Sequence, residues 1–240
     1  MATKIWTGIA ADNAWTTDTN WLGDAKPVNG DDVIVPKMAA DSAKDIDGGD
    51  VTAVALDGID VEDGCELNMG GAGTPLRVDL GDGKPVKLGG RGGKYIEVNN
   101  AAAGGGLTLE VRQSATGTSV AYGTNITTDA TGFDAAAIRC GSNETVSLAA
   151  NAGETGVFGT AVVYGGTAFI GPDADVTELR VYGGAVHCRA SVATVLQDGG
   201  RLFMEGAAAC STSLTVRGGT CYENSAGTKA AVIVADDGQV

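Results

Sequence analysis

The stretch AVVYGGTAFI, residues 161–170, joins two apolar runs through a Gly-Gly step, and the chain repeats this arrangement three more times. The later copies are LRVYGGAVHC at 179–188, VLQDGGRLFM at 195–204 and LTVRGGTCYE at 214–223. Successive Gly-Gly pairs are separated by 18, 16 and 19 residues, and Asp237-Gly238 follows 19 residues later as a degenerate fifth copy. A short repeat without a helical segment is typical of stacked β rungs.

Alignment of the copies on the second glycine sorts their side chains onto two faces, because neighbouring residues of a strand point to opposite sides. Positions two and four after that glycine share one face, which is mostly apolar and is predicted to be the interior: Ala168, Val186, Leu202 and Cys221, then Ile170, Cys188, Met204 and Glu223. The position between them is predicted to form an outward row of rings: Phe169, His187, Phe203 and Tyr222.

A Gly-Gly step suits either a hairpin turn or the corner of a solenoid rung. The solenoid predicts that equivalent positions stack from copy to copy, and the like residues at like positions favour it. We therefore predict an all-β protein, a β-solenoid (parallel β-helix) with short rungs of 16–19 residues. In the third copy the sequence does not decide which two residues before the glycines point into the core, Thr194 and Leu196 or Val195 and Gln197.

Composition excludes several function classes. The 240 residues carry a net charge of −14 with a pI near 4.3, which opposes nucleic-acid binding because phosphates are bound by clustered Lys and Arg. No apolar run approaches a membrane span, and the first residues lack the apolar core of a signal peptide, so we expect folding in the cytoplasm. Five cysteines without CxxC spacing predict reduced core thiols, with no disulfide, metal site or cofactor.

The chain is interpreted as one domain with an N-terminal cap or attachment segment at 1–36 and a β-solenoid at 37–240. Rungs are irregular over 37–160 and regular over 161–240. All three tryptophans, Trp6, Trp15 and Trp21, lie in the opening segment. They are predicted to plug the open end of the core; the alternative is a sugar-stacking platform. In the irregular region Leu76–Leu80, Val86–Leu88 and Ser119–Tyr122 are among the predicted strands, and 134–140 is the best candidate for a helical turn.

No group of residues predicts catalysis. His187 is the only histidine, and the chain lacks the G-x-S-x-G turn of a hydrolase nucleophile. Carboxylates could act on a sugar if two converged across it, but within the regular copies none recurs beside a basic residue. They are interpreted as turn residues and solubilising charge; the clusters are Asp31/Asp32, Asp41/Asp45/Asp47/Asp50, Asp173/Asp175 and Asp236/Asp237.

The opening pattern resembles that of bacterial and phage β-solenoid surface proteins. It consists of Trp6-x-Gly8, Trp15, Asn20-Trp21 and Pro27, followed by Gly-Asp-Asp-Val-Ile-Val at 30–35. It is similar to the N-terminal segments of autotransporter-type passengers and of phage virion β-helices, and it covers about the first 36 residues.

The resemblance implies a non-enzymatic phage virion protein that decorates or cements the capsid exterior and is assembled in the host cytoplasm. The expected partners are the major capsid protein or another virion protein, together with further copies of the chain, most simply as a trimer that buries the row of rings. Because the chain stops just after the fifth copy begins its second strand, we expect a truncation or a covering subunit there. The alternatives are a receptor- or glycan-binding fibre or adhesin and a polysaccharide-degrading β-helix.

Overall fold

The computed structural model describes residues 2–71, 74–81, 86–90, 93–100, 108–113, 123–128, 133–140, 145–149, 156–206, 208–227 and 232–234. Their regular structure is twenty β-strands and one turn of 3-10 helix at Asp18–Asn20. The strands are β1 Thr3–Ile5, β2 Asp32–Val35, β3 Gly49–Leu56, β4 Gly58–Val61, β5 Leu76–Leu80, β6 Val86–Gly89, β7 Lys94–Asn100, β8 Thr108–Gln113, β9 Gly123–Thr128, β10 Phe133–Cys140, β11 Thr145–Leu148, β12 Gly156–Gly165, β13 Thr167–Ile170, β14 Ala174–Val181, β15 Ala185–Cys188, β16 Ser191–Gln197, β17 Arg201–Gly206, β18 Ala209–Val216, β19 Thr220–Ser225 and β20 Val232–Val234.

These strands form two parallel sheets that the chain visits in turn. One sheet has the order β1-β2-β4-β6-β8-β10-β12-β14-β16-β18-β20, and the other has the order β19-β17-β15-β13-β11-β9-β7-β5-β3. Each turn of the chain adds one strand to each sheet from β2 onward, and every ladder between the named strands is parallel. The strands on either side of a Gly-Gly step pair with neighbouring rungs rather than with each other. The solenoid prediction is therefore confirmed over the hairpin.

Rung length explains why the repeat is visible only in the last third of the sequence. Val195 pairs with Leu214, 19 residues on, whereas Ile59 pairs with Val86, 27 residues on. The early rungs use part of this extra length for a short third ladder of single parallel bridges that joins Ile46 to Met69 and Met69 to Lys94.

The core lies between the two sheets and follows the predicted columns. Ala168, Val186, Leu202 and Cys221 are consecutive ladder partners and are all buried. The second column holds Ile170, Cys188 and Met204, also buried, but its last member, Glu223, is exposed and accepts a hydrogen bond from Ser225 Oγ at 2.8 Å. The inner face thus ends in a carboxylate at the outermost described strand of its sheet.

In the third copy the two residues that point into the core are Val195 and Gln197, and both are completely buried. Gln197 takes the place held by Val181 and Val216 in the neighbouring rungs. Its Nε2 donates to the carbonyl oxygens of Gly199, Gly200 and Thr220 at 3.1–3.3 Å. A polar residue occupies this core position because it binds the backbone of the turn beside it.

The irregular region contains one wrong prediction. Residues 134–140, the candidate helical turn, lie in strand β10, because this Ala-rich segment pairs in register with β8 on one side and β12 on the other. Two parallel ladders outweigh the weak local preference of alanine for helix. The Leu76–Leu80 strand is confirmed at its predicted bounds. The predicted strand Ser119–Tyr122 and the fifth copy at Asp237-Gly238 lie outside the described residues.

Neither glycine of a Gly-Gly corner can be replaced by a residue with a side chain without strain. The second glycine of each pair has φ between +69° and +78°, a region that favours glycine. The first is crowded instead: a Cβ on Gly199 would lie 2.6 Å from the carbonyl oxygen of Tyr182 in the previous rung. Gly200 meets both limits, with φ at +69° and a Cβ position 2.7 Å from Gly184 O.

Substitution of Gly200 by alanine tests this double constraint. Gly206→Ala is the matched control, because Gly206 also has a positive φ, +64°, but no atom within 4 Å of its Cβ position. We expect Gly206→Ala to lower the free energy of unfolding by about 1–2 kcal/mol and Gly200→Ala to lower it by at least about 2 kcal/mol more, since the previous rung must also move. Urea unfolding of both variants measures the difference, and equal losses would contradict the close approach.

Candidate functional site

The outward row of rings is the most regular feature of the molecular surface. Phe169, His187, Phe203 and Tyr222 are direct ladder partners on strands β13, β15, β17 and β19. Their ring centroids lie 4.8, 4.5 and 4.7 Å apart, with interplanar angles of 18°, 7° and 6°. The spacing is that of neighbouring strands, so the rings stack face to face and their edges point outward. Within the described residues only the two ends of the row, at Phe169 and Tyr222, have a ring face without a ring neighbour. We call these four residues the ring row.

One ionisable cluster borders the ring row. His187 Nδ1 lies 2.7 Å from Glu205 Oε1, and Arg189 Nε donates to the other carboxylate oxygen at 3.3 Å. The hydrogen bond with His187 holds the pKa of Glu205 below its usual value; burial opposes this effect, and Arg189 adds to it. The pair therefore fixes the imidazole plane between the two phenyl rings.

Two polar columns flank the ring row on the same sheet face. On one side the ladder aligns Thr167, Ala185, Arg201 and Thr220. On the other side Glu205 pairs with Asn224, and Arg189, in the rung before, shares the carboxylate of Glu205. Arg189, Glu205 and Asn224 line an open groove whose apolar wall is Phe203 and Tyr222. The surface is thus an apolar stripe with a polar border on both sides.

The three tryptophans of the cap, residues 1–36, are inside the protein. Trp6, Trp15 and Trp21 are 0%, 6% and 1% exposed. Trp21 packs edge-to-face against the other two, at centroid distances of 5.1 and 4.7 Å. The indole N–H groups of Trp6 and Trp21 donate to the carbonyl oxygens of Lys44 and Trp15. The burial of these rings agrees with a plug over the end of the core, and it leaves no open ring face on which a sugar could stack.

Hydrogen bonds to a buried carboxylate hold the cap together. The Asp31 carboxylate, 2% exposed, accepts from the backbone N–H of Ala2 at 2.8 Å and of Val28 at 3.2 Å. Burial raises the pKa of Asp31, but these two N–H groups, together with the charges of Lys4 and the N-terminus, outweigh it and hold the pKa below its usual value. Asp31, which the sequence suggested only as a turn residue, is therefore a structural anchor of the cap.

Three large aliphatic side chains of the cap are exposed. Ile9, Leu22 and Val28 are 76%, 62% and 56% exposed, more than any other large hydrophobic side chain in the described part of the chain. The sequence alone does not distinguish these three exposed aliphatic residues from aliphatic residues of the core. The cap therefore hides its tryptophans and exposes aliphatic side chains.

A second pair of rings lies at the corner between the sheets and was not predicted. Tyr164 and Tyr182 each precede a Gly-Gly step, are about two-fifths exposed and stack at 5.4 Å. The guanidinium of Arg139 lies 3.9 Å from the centroid of Tyr164. The sequence contains one sign of this pair: the residue before the Gly-Gly step is tyrosine in two of the four copies.

The acidic clusters serve local structure where they are described. Both carboxylate oxygens of Asp45 accept from Asn68 at 2.8 Å, and Asp41 pairs with Lys44 at 3.3 Å. Asp236 and Asp237 lie outside the described residues. Within the described ranges, no group of three or more His, Cys, Asp or Glu side chains could hold a metal ion. None of the five cysteines is in a disulfide.

The described segments include no helix that is both long enough and apolar enough to cross a membrane. Comparison of the chain with protein-family models, with curated proteins and with solved structures finds no match.

The lowered pKa of Glu205 predicts how the stability of the fold depends on pH. A carboxyl whose folded pKa is depressed stabilises the fold fully above its unfolded pKa, and this contribution is lost as the pH falls towards the folded pKa. We expect Glu205→Gln to cost about 1 kcal/mol at pH 7 and to flatten the loss of stability below about pH 4.5. Arg189→Ala should flatten it less, because His187 is the larger cause. An unchanged pH profile of unfolding in Glu205→Gln would contradict this account.

The burial of all three indoles predicts weak quenching. Acrylamide should quench the native tryptophan fluorescence several-fold less than that of the urea-unfolded chain, because the quencher must contact the ring. Added polysaccharide should leave the native emission unchanged. Quenching equal to that of the unfolded chain would show that the cap is open.

Proposed function

We propose that this chain is a non-enzymatic structural protein of a bacteriophage virion that decorates or cements the capsid exterior. The opening pattern of residues 6–35 supports the virus link. A solenoid suits a role carried out by surfaces, since its stacked sheets display side-chain rows that repeat from rung to rung. Such a protein would assemble in the host cytoplasm and reside on the virion.

The observation that carries the proposal is the exposure of aliphatic side chains on the cap. Three aliphatic side chains, Ile9, Leu22 and Val28, are more than half exposed, while the tryptophans beside them are packed inside. Exposed apolar side chains mark contact sites when they form a contiguous patch, and we take these three residues of the cap to form one. We assign the cap to attachment, with the major capsid protein or another virion protein as its partner.

The ring row is assigned to contact between copies of the chain. An apolar stripe with polar borders has the anatomy of an interface centre. The resemblance implies a homo-oligomer, and a trimer in particular. The proposal includes no cofactor, nucleic acid or membrane.

A receptor- or glycan-binding fibre is the alternative function. Sugars stack on open faces of aromatic rings, but the faces within the ring row are covered by neighbouring rings, and the indoles of the cap are buried. These contacts favour decoration over glycan binding, and they leave a polysaccharide-degrading enzyme as the weakest candidate.

Cryo-electron microscopy of the particle that contains this chain tests the proposal. Density at fixed sites of the capsid lattice, as symmetric oligomers with the cap towards the shell, is the expected result. Density only at a tail or fibre tip would overturn decoration in favour of the fibre alternative.

Leu22→Glu is expected to detach the protein from the capsid. A charge placed in an apolar contact must lose its water without a partner, so we expect at least a tenfold weaker occupancy. Thr212→Glu, at an exposed site on strand β18, is the matched control and should bind normally. Both variants should melt like the parent, because both side chains are exposed. Normal occupancy of Leu22→Glu would remove the cap from the attachment surface.

A further inference from the structure

We propose that Tyr164 and Tyr182 form an oxidative modification site, at which a one-electron oxidant joins the two phenol rings into a dityrosine that links neighbouring rungs covalently. The inference goes beyond the proposed function and does not depend on it. It follows from the stacking of the two rings, from their exposure and from the burial of the competing tryptophans.

The ladder between β12 and β14 holds the two phenols side by side. Val163 pairs with Val181, and the backbone N–H of Tyr182 donates to the carbonyl oxygen of Val163 at 2.9 Å, so the tyrosines follow in the same register. Their ring centroids lie 5.4 Å apart with an interplanar angle of 17°. Two groups held as neighbours react far faster than two that must first meet, because the loss of translational freedom has already occurred on folding.

Arg139 holds Tyr164 from the opposite side. Its guanidinium carbon lies 3.9 Å from the centroid of the Tyr164 ring. Arg139 belongs to β10, on the far side of β12 from β14, so the cation packs on one face of Tyr164 and Tyr182 on the other. The ring of Tyr164 is therefore directed at Tyr182. The nearby positive charge opposes removal of an electron from Tyr164, so we expect Tyr182 to be oxidised first.

The chemistry needs an oxidant from outside the protein, and a haem peroxidase with hydrogen peroxide is the class that supplies it. Each phenol loses one electron and its hydroxyl proton and becomes a tyrosyl radical. The ring carbons next to the two oxygens then form one C–C bond. The hydrogens on those carbons leave as protons, and the oxygens are protonated again. In total the two rings lose two hydrogen atoms, and one hydrogen peroxide is reduced to two waters.

Exposure directs oxidation to this pair. Tyr164 and Tyr182 are 42% and 41% exposed, so each phenol is open to an oxidant in solution and has room to turn towards the other. The three tryptophans, which also lose electrons readily, are buried. Tyr222 is equally exposed, but its ring neighbour is Phe203, which has no phenol to couple. In the described part of the chain, Tyr164 and Tyr182 are the only two tyrosine rings in contact.

The link would strengthen the stack of rungs. It joins residues 18 apart along the chain, and a cross-link that closes such a loop stabilises a fold by restricting the unfolded chain. It also lies at the corner between the sheets, where it would prevent the two rungs from separating. The modified solenoid should therefore unfold at a higher urea concentration than the unmodified one.

Peroxidase treatment of the full-length chain tests the inference, after alkylation of accessible thiols that would reduce the radicals. Trypsin cleaves after Arg139, Arg180 and Arg189, so the two tyrosines fall into separate peptides, 140–180 and 181–189. Mass spectrometry should find these peptides joined with the loss of two hydrogen atoms, at least tenfold more abundant than any other dityrosine. In an equimolar mixture of unlabelled and nitrogen-15-labelled chain, both joined peptides should carry the same label, because the bond forms within one chain.

Two variants control for the site. Tyr182→Phe keeps a stacked ring but removes one phenol, and it should abolish the link. Tyr222→Phe removes an equally exposed phenol elsewhere and should retain the full yield. Circular dichroism with thermal melting confirms that both variants are folded, and urea unfolding compares the linked chain with peroxidase-treated Tyr182→Phe.

Absence of the joined peptide would overturn the inference, as would dityrosines that chiefly join other tyrosines or different chains. An unchanged urea midpoint in the linked chain would overturn the strengthening of the stack. A chain that forms the link but never appears on a capsid would support the inference and overturn only decoration.

Discussion

The structure depends on the hydrogen-bonded ladder that holds each rung in register with the next. Because every strand pairs in parallel with its neighbour, equivalent residues lie one strand spacing apart along the whole solenoid. Repeated aliphatic residues therefore fill the space between the sheets, and repeated aromatic residues become a stack of rings. The same constraint brings the corner of one rung against the carbonyl oxygens of the rung before, which leaves room only for glycine.

The last third of the fold could be predicted because its rungs keep nearly constant length. In that region the inner columns and the ring row follow directly from alignment on the glycines. The early rungs are longer and insert the ladder of Ile46, Met69 and Lys94, so their equivalent positions do not align by spacing. The Ala-rich first part of strand β10 is wrongly predicted as a helical turn because its alanines carry no strand signal of their own, and its two neighbouring strands decide its structure.

The candidate site was only partly predictable for a related reason. The order of rings in the ring row is a local property of the repeat, whereas the bond between His187 and Glu205 joins residues two positions apart on neighbouring rungs. The cap depends on still longer contacts, such as Ala2 with Asp31 and Trp6 with Lys44. No periodic pattern encodes such contacts, so the burial of the tryptophans and the exposure of Leu22 emerge only in three dimensions.

Glu223 makes the last described strand of its sheet a poor template for a further strand. A stack of parallel rungs with an apolar interior is a template on which other β-segments can polymerise, as they do in amyloid. The carboxylate of Glu223 stands in the inner column on the outermost described strand of its sheet. Any foreign strand that extended this column would enclose a negative charge among aliphatic side chains. The repeat that lets each rung accept the next is thus interrupted at this strand by a charge, which disfavours the addition of an unrelated apolar strand.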